Sequence, residues 1–263
     1  MRTLPEPLTS PALLLRKTEY GESDLIVTLL SPGCGRLTAV APAARKSRRR
    51  FGGVLEVFTE FEAVLEAGRG MWRLKEASLR DPFARIRESP LRTAYAGVWA
   101  ELAHDWAEEG SPQEELYGLL RFALFALDRG EPAAEVLHLS FLMRLLELTG
   151  HAPALERCVG CRAPAESLPD RELRIDLGRG GVCCPRCAQG GLAEPFLLSR
   201  GAAKQLLWIG RGPTGRLARL RATPAALAEG RSFLERFLLR HLDRMPRSFE
   251  VLRQLDGGEA GRP

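Results

Sequence analysis

The sequence predicts an α+β multidomain chain: an N-terminal OB-fold β-barrel, then an α-helical domain with a four-cysteine zinc module inserted in it. Three observations carry that prediction. Five short β-prone runs crowd the start of the chain, helical periodicity takes over near residue 82, and five of the six cysteines fall between residues 158 and 187. The expected boundaries are 1–81 for the barrel, 82–150 and 196–255 for the two parts of the helical domain, 151–195 for the zinc module and 256–263 for a disordered tail.

The β-prone runs cover residues 12–20, 25–30, 37–41, 55–65 and 71–77. Turn signals at Tyr20-Gly21-Glu22, Ser31-Pro32-Gly33 and Ala67-Gly68-Arg69-Gly70 separate them. Five short strands in so short a segment fit an OB barrel. The fourth run alternates, with Val57, Thr59, Phe61, Ala63 and Leu65 on one face and Glu56, Glu60, Glu62 and Glu66 on the other. The acidic face is expected in solvent, where it would repel phosphate.

Helices are expected near 90–109, 112–129, 133–149, 200–209 and 224–244. Ser89-Pro90 and Thr223-Pro224 each set a capping side chain before a first-turn proline, and Ser111-Pro112-Gln113-Glu114 adds a capping-box glutamate. In the last helix Leu227, Leu234, Phe237, Leu238 and Leu242 share a face opposite Arg231, Glu235, Arg236 and Arg240.

The cysteine segment interrupts this helical pattern. Cys158-Val-Gly-Cys161 and Cys184-Pro-Arg-Cys187 are two Cys-x-x-Cys pairs with the spacing of a tetrahedral four-thiolate zinc site. Such a shell has no open position, so one zinc ion here is expected to hold structure and do no chemistry. A segment this short buries little apolar surface, and metal replaces the missing core. Cys183 is an alternative to Cys184 in the second pair. Cys34 reads as a small buried residue.

The second informative feature is Arg45-Lys46-Ser47-Arg48-Arg49-Arg50, with no acid between Arg36 and Glu56. Arginine at a barrel loop suits phosphate, which it grips in bidentate fashion while condensed counterions are released. Arg36, Arg45, Lys46, Arg48, Arg49 and Arg50 are therefore candidate DNA contacts. Tyr20, Phe51 and Phe58 are candidate stacking platforms, although packing is the commoner use of each.

The formal net charge of +5 and pI near 9.1 allow a polyanionic partner without requiring one. The first ten residues lack an apolar signal-peptide core, and no run is long and uncharged enough for a membrane span. Paired cysteines without a secretion signal favour metal thiolates in a reducing cytoplasm. No catalytic constellation is visible. Gly210-Arg-Gly-Pro-Thr-Gly215-Arg216-Leu217 begins like a phosphate-binding loop, but arginine and leucine stand where Lys-Ser/Thr is required, and a helix precedes it. None of His104, His138, His151 and His241 opens the His-x-Glu of a zinc deaminase, and none is spaced for a metal pair.

Taken in order, these pieces resemble the RecO family of bacterial recombination mediators. The resemblance is carried by Tyr20-Gly21-Glu22-Ser23-Asp24, Gly35, Ala44-Arg45-Lys46-Ser47-Arg48, the paired cysteines and Pro246-Arg247-Ser248. Ala43 departs from it, since glycine is common there. The resemblance implies a non-enzymatic protein that binds single- and double-stranded DNA, anneals complementary strands and acts with RecR. It implies help in loading RecA onto strands coated by single-stranded-DNA-binding protein (SSB), and contact with the acidic SSB tail, for which Arg231 and Arg240 are the candidate residues. A cytoplasmic, nucleoid-associated protein with no membrane contact follows. The competing readings are a zinc-containing OB-fold RNA-binding protein, a non-catalytic adaptor, and a metallo-hydrolase, which the four-thiolate spacing disfavours.

Overall fold

β1 (Leu8–Tyr20), β2 (Asp24–Ser31), β3 (Gly35–Ala41), β4 (Glu60–Glu66) and β5 (Trp72–Asp81) close into a barrel in the order β1-β2-β3-β5-β4. All neighbours are antiparallel except β3 and β5, which run parallel where Ala39 and Val40 meet Trp72 and Arg73. This is the expected OB barrel. The coordinates are a computed structural model that describes residues 7–259 except 69, 170, 243 and 244.

Period-two alternation fills the barrel. On β3, Leu37, Ala39 and Ala41 point inward while Arg36, Thr38 and Val40 stay partly exposed. Ala12, Ala39, Ala63 and Ala77 alternate with Leu14, Leu29, Phe61 and Leu74, a small-and-large mixture that a narrow barrel needs. The β1 register shifts between Leu14 and Arg16. The irregularity lets Leu13, Leu14 and Leu15 all be buried in succession.

The fourth strand corrects its expected form. It begins at Glu60, not residue 55, because Phe58 takes a positive φ of 74° and breaks the alternation. Phe58, Thr59, Glu60 and Phe61 are consequently all buried. The acidic row is also not free in solvent: Glu62 pairs with Arg80, Glu66 with Lys75 and Glu56 with Lys17.

Between β3 and β4 the chain forms α1 (Arg48–Phe51), capped by Ser47 Oγ, which accepts from Arg50 N. Phe51, Val54 and Leu55 then close one end of the barrel core. After β5 come α2 (Ala84–Arg87), α3 (Pro90–Trp106) and α4 (Glu114–Arg129). Ser89 caps α3 as its sequence predicts. Ser111 does not cap α4. The segment before that helix is drawn into backbone bonds with the β2–β3 turn, Gly110 N to Cys34 O and Gln113 N to Pro32 O, so the helix starts at Glu114. Gly35 makes this possible: its φ is +63°, and a Cβ there would lie 2.2 Å from Glu108 O.

The chain divides into two compact units, residues 1–129 with 246–263, and residues 130–245. The second unit is built on α5 (Ala134–Leu148), which is buried on nearly every side and therefore reads as a central helix. β6 (Glu172–Asp176), β7 (Gly181–Val182) and β8 (Pro195–Ser199) form a sheet in the order β7-β6-β8. α6 (Arg200–Arg211) and α7 (Pro224–Leu238) pack on α5, capped by Ser199 and Thr223.

The first unit is completed by α8 (Arg247–Glu259), which lies against α3. Helix therefore extends through residues 256–259, where a disordered tail was expected, and residues 260–263 lie outside the described residues. Phe249 and Leu252 are buried, and Glu101 of α3 accepts from Arg247 N, Ser248 N and Ser248 Oγ at 3.2, 3.0 and 2.7 Å. A carboxylate from α3 thus satisfies the first N–H groups of α8.

Candidate functional site

The four paired cysteines come together in the second unit. The Sγ atoms of Cys158, Cys161, Cys184 and Cys187 all lie within 4.8 Å of one another, and Cys161 and Cys184 are 3.6 Å apart. Cys183, the alternative ligand, stays outside this group; its buried Sγ faces Arg179 Nη1 at 3.7 Å. The first knuckle is fixed by Cys158 N to Ala163 O and Arg162 N to Cys158 O, and joined to β7 through Val159 N to Val182 O.

The sulfur electrostatics call for a cation. Burial opposes ionisation of Cys158, but the N–H groups of Cys161, Cys184 and Gly160 outweigh it and bring the thiol down to about 6. Hydrogen bonding to Cys184, with burial and Cys161, pushes Cys187 up to about 12. Anionic charge gathers on one side of the cluster while another sulfur keeps its proton. A metal ion able to displace that proton could be held by all four thiolates. Arg186, whose guanidinium hydrogen-bonds to Cys161, offsets part of the remaining negative charge.

The basic segment is held to the barrel by the neighbouring motif. Asp24 Oδ1 accepts from Ala43 N at 2.8 Å, and Arg45 N donates to Ser23 O at 3.0 Å. Ser47 N and Lys46 N both donate to Ala43 O, closing a turn in which Ala43 has a φ of +53°. The segment is thus a tight turn and one short helix, not an open loop.

Its cations have unequal freedom. Arg36 Nη1 donates to His104 O at 2.8 Å, and Nη2 lies 3.3 Å from Glu109. Arg45 meets Glu19 at 3.2 Å, and Arg50 donates to Pro42 O at 2.7 Å while its guanidinium lies over Phe51. Lys46 and Arg49 are exposed and make no ion pair among the described residues. The side chain of Arg48 lies outside the described residues. Phe51 and Phe58 belong to the core, so neither is a stacking platform, whereas Tyr20 is 56% exposed. A cleft of about 460 Å³ beside the segment has its charges paired, Lys17 with Glu56 and Arg45 with Glu19.

Sequence reasoning missed Arg16 on β1 and Arg73 on β5, both exposed and without an ion pair among the described residues. Arg73 stands opposite Val40, a few residues before the basic segment; the parallel β3–β5 pairing that puts it there has no local sequence signal. It also missed that the rings of His151 and His241 lie against each other, tilted by 49° with centroids 4.3 Å apart, although no third ligand joins them among the described residues. Arg231 lies 4.0 Å from Glu135, and Arg240 donates to Glu194 at 2.9 Å.

Two family models match in tandem, "Recombination protein O N terminal" over residues 4–83 and "Recombination protein O C terminal" over residues 87–249. The chain belongs to the RecO family. It is 39% identical over 252 residues to the "DNA repair protein RecO" of Desulfatibacillum aliphaticivorans, covering 95% of this chain and 97% of that one. The protein of the same description from Desulfosudis oleivorans is 38% identical over 253 residues, with 94% and 97% covered, and that of Anaeromyxobacter sp. (strain K) is 38% identical over 234 residues, with 88% and 90% covered. The chain is thus a member of a family of DNA repair proteins. The structure gives physical sense to three motifs of the RecO resemblance: Tyr20-Gly21-Glu22-Ser23-Asp24 and Ala44-Arg45-Lys46-Ser47-Arg48 are hydrogen-bonded together through Arg45 N and Ser23 O, and Pro246-Arg247-Ser248 leads into the helix that Glu101 caps. No helix of the described residues is long and apolar enough to cross a membrane.

Proposed function

We propose that the protein is a recombination mediator that binds single- and double-stranded DNA non-specifically and anneals complementary strands. With RecR it helps load RecA onto SSB-coated single strands. The observation that carries this reading is the Asp24–Ala43 junction, which holds a cationic turn on the outside of an OB barrel with Lys46 and Arg49 unpaired. Free cations on a rigid support grip phosphates of any sequence, which is what annealing needs. Among the candidate contacts Arg36, Arg45, Lys46, Arg48, Arg49 and Arg50, the proposal leans on Lys46 and Arg49, because Arg36, Arg45 and Arg50 have protein partners.

The cysteine cluster binds one structural zinc ion in this reading. Four thiolates with tetrahedral spacing suit zinc over harder ions, and four protein ligands exclude water from the metal. Cys158, Cys161, Cys184 and Cys187 hold it and do no chemistry. The acidic SSB tail meets the α7 surface near Arg231 and Arg240, and the protein works in the cytoplasm at the nucleoid.

The test is annealing of complementary oligonucleotides coated with SSB, with equal-length RNA as competitor. Acceleration by the wild type, reduced in Lys46→Ala/Arg49→Ala, is expected. No acceleration overturns the mediator reading, and preference for RNA replaces it with an RNA-binding one.

A further inference from the structure

No acidic residue stands between Glu194 and Glu229, yet Arg200, Lys204, Arg211, Arg216, Arg219 and Arg221 do. Some of these cations serve the fold. Arg200 donates to Ala165 O and Leu168 O, and Arg211 meets Glu156 at 2.7 Å. The side chains of Arg216, Arg219 and Arg221 are exposed and make no hydrogen bond or ion pair among the described residues.

Their support is fixed. Residues 214–219 form a 3₁₀ turn in which Leu217 is buried at 1% exposure, so the opposite side faces out. At three residues per turn, Arg216 and Arg219 eclipse on that side about 6 Å apart along the axis. Arg144 of α5 donates to Gly212 O at 2.5 Å and to Ser140 Oγ at 3.2 Å, tying the preceding loop to the central helix. The chain doubles back so closely that a Cβ at Gly212 would lie 2.5 Å from Trp208 O. Trp208 itself is 38% exposed at the end of α6.

We propose that this turn is a second contact for single-stranded nucleic acid. Arg216, Arg219 and Arg221 take successive phosphates, and Trp208 stacks a base. The inference rests on the nucleic-acid reading above and adds a site in the other unit. Like charges held in a row without counter-charge destabilise a fold unless a polyanion neutralises them. The exposed indole favours a nucleic-acid strand over an acidic peptide, since every base offers a face to stack.

The test measures binding of the full chain to a fluorescent dT oligonucleotide across a salt series. The variants are Arg216→Ala/Arg219→Ala/Arg221→Ala, the corresponding triple lysine variant, and Lys46→Ala/Arg49→Ala as the barrel arm, each checked for an unchanged melting curve. A parallel arm photocrosslinks a 5-bromodeoxyuridine oligonucleotide and maps the peptide by mass spectrometry. The alanine variant should lose about 0.7 of the log–log salt slope per contact, roughly 2 in all, while the lysine variant keeps it. The crosslink should fall on the peptide containing Trp208. Wild-type binding with an unchanged slope in the alanine variant overturns this site and leaves the barrel reading standing. No wild-type binding overturns both. Displacement of the oligonucleotide by polyglutamate at equal charge reassigns the turn to an acidic protein partner and overturns the proposal.

Discussion

Asp24, the first residue of β2, accepts the backbone N–H of Ala43 at 2.8 Å, and together with the Arg45 N to Ser23 O bond it sets the path of the basic segment. Ala43 sits at φ +53°, where a Cβ costs roughly 1–2 kcal/mol. Glycine at this position removes that strain but widens the unfolded ensemble by about 0.4–1 kcal/mol. Ala43→Gly is therefore expected to stabilise the protein by up to about 1 kcal/mol, and Asp24→Ala to destabilise it by about 1–2 kcal/mol. Urea denaturation of the two variants checks both signs; a destabilised Ala43→Gly contradicts the strain argument.

Glu60 is the one acid of the fourth strand that is buried, and it is satisfied from α4: Tyr117 Oη donates at 2.8 Å and Arg121 Nε at 2.8 Å. Burial and the bond to Glu60 hold the phenol proton well above its usual range. Tyr117→Phe should cost about 1 kcal/mol, and Glu60→Ala about 1–3 kcal/mol because it strands the buried Tyr117 hydroxyl, while the half-exposed Arg121 turns to water. A double-mutant cycle should show strong coupling. Additive effects would mean that the three groups do not act together.

Cys158→Ser should abolish stoichiometric metal binding and loosen residues 151–195 while leaving the barrel folded. Metal analysis and limited proteolysis report the two effects separately. Arg186→Gln should keep the metal but speed its loss to a chelator by roughly 10-fold, because the thiolates lose a neighbouring positive charge. Equal loss rates would show that Arg186 has no such role.

His138 on α5 is fully buried, and desolvation, helped by Arg231, lowers it to about 3. Glu135, 4.0 Å from Arg231, is the acid in the same neighbourhood. The unfolded histidine titrates near 6.5, so below that pH the unfolded chain binds a proton that the folded chain refuses. Stability is present above pH 6.5 and falls toward pH 3, by up to about 1.4 kcal/mol per pH unit. His138→Leu should flatten this part of the pH profile of the melting temperature. A profile that is identical in the variant would sink the assignment.

The barrel was legible because period-two alternation is local, and the spacing of the four cysteines announced that their sulfurs would come together. Glu60 was not, since its partners lie 57 and 61 residues away and its neighbours are ordinary surface acids. Charge density marked the basic segment, yet which arginines are committed depended on distant carbonyls such as His104 O, 68 residues from Arg36. The same holds for Ser111, a good helix cap by sequence that loses to backbone bonds from the β2–β3 turn.

The chain leaves its first unit at residue 129 and re-enters it at residue 246 to lay α8 against α3. During synthesis this order has a cost in time. At about 5–20 residues per second the ribosome needs on the order of ten seconds to pass through the intervening segment. For that interval the nascent barrel unit carries an uncovered α3 face, and Glu101 waits without the N–H groups it will cap. The second unit, continuous in sequence, has all its residues in hand before the first can finish.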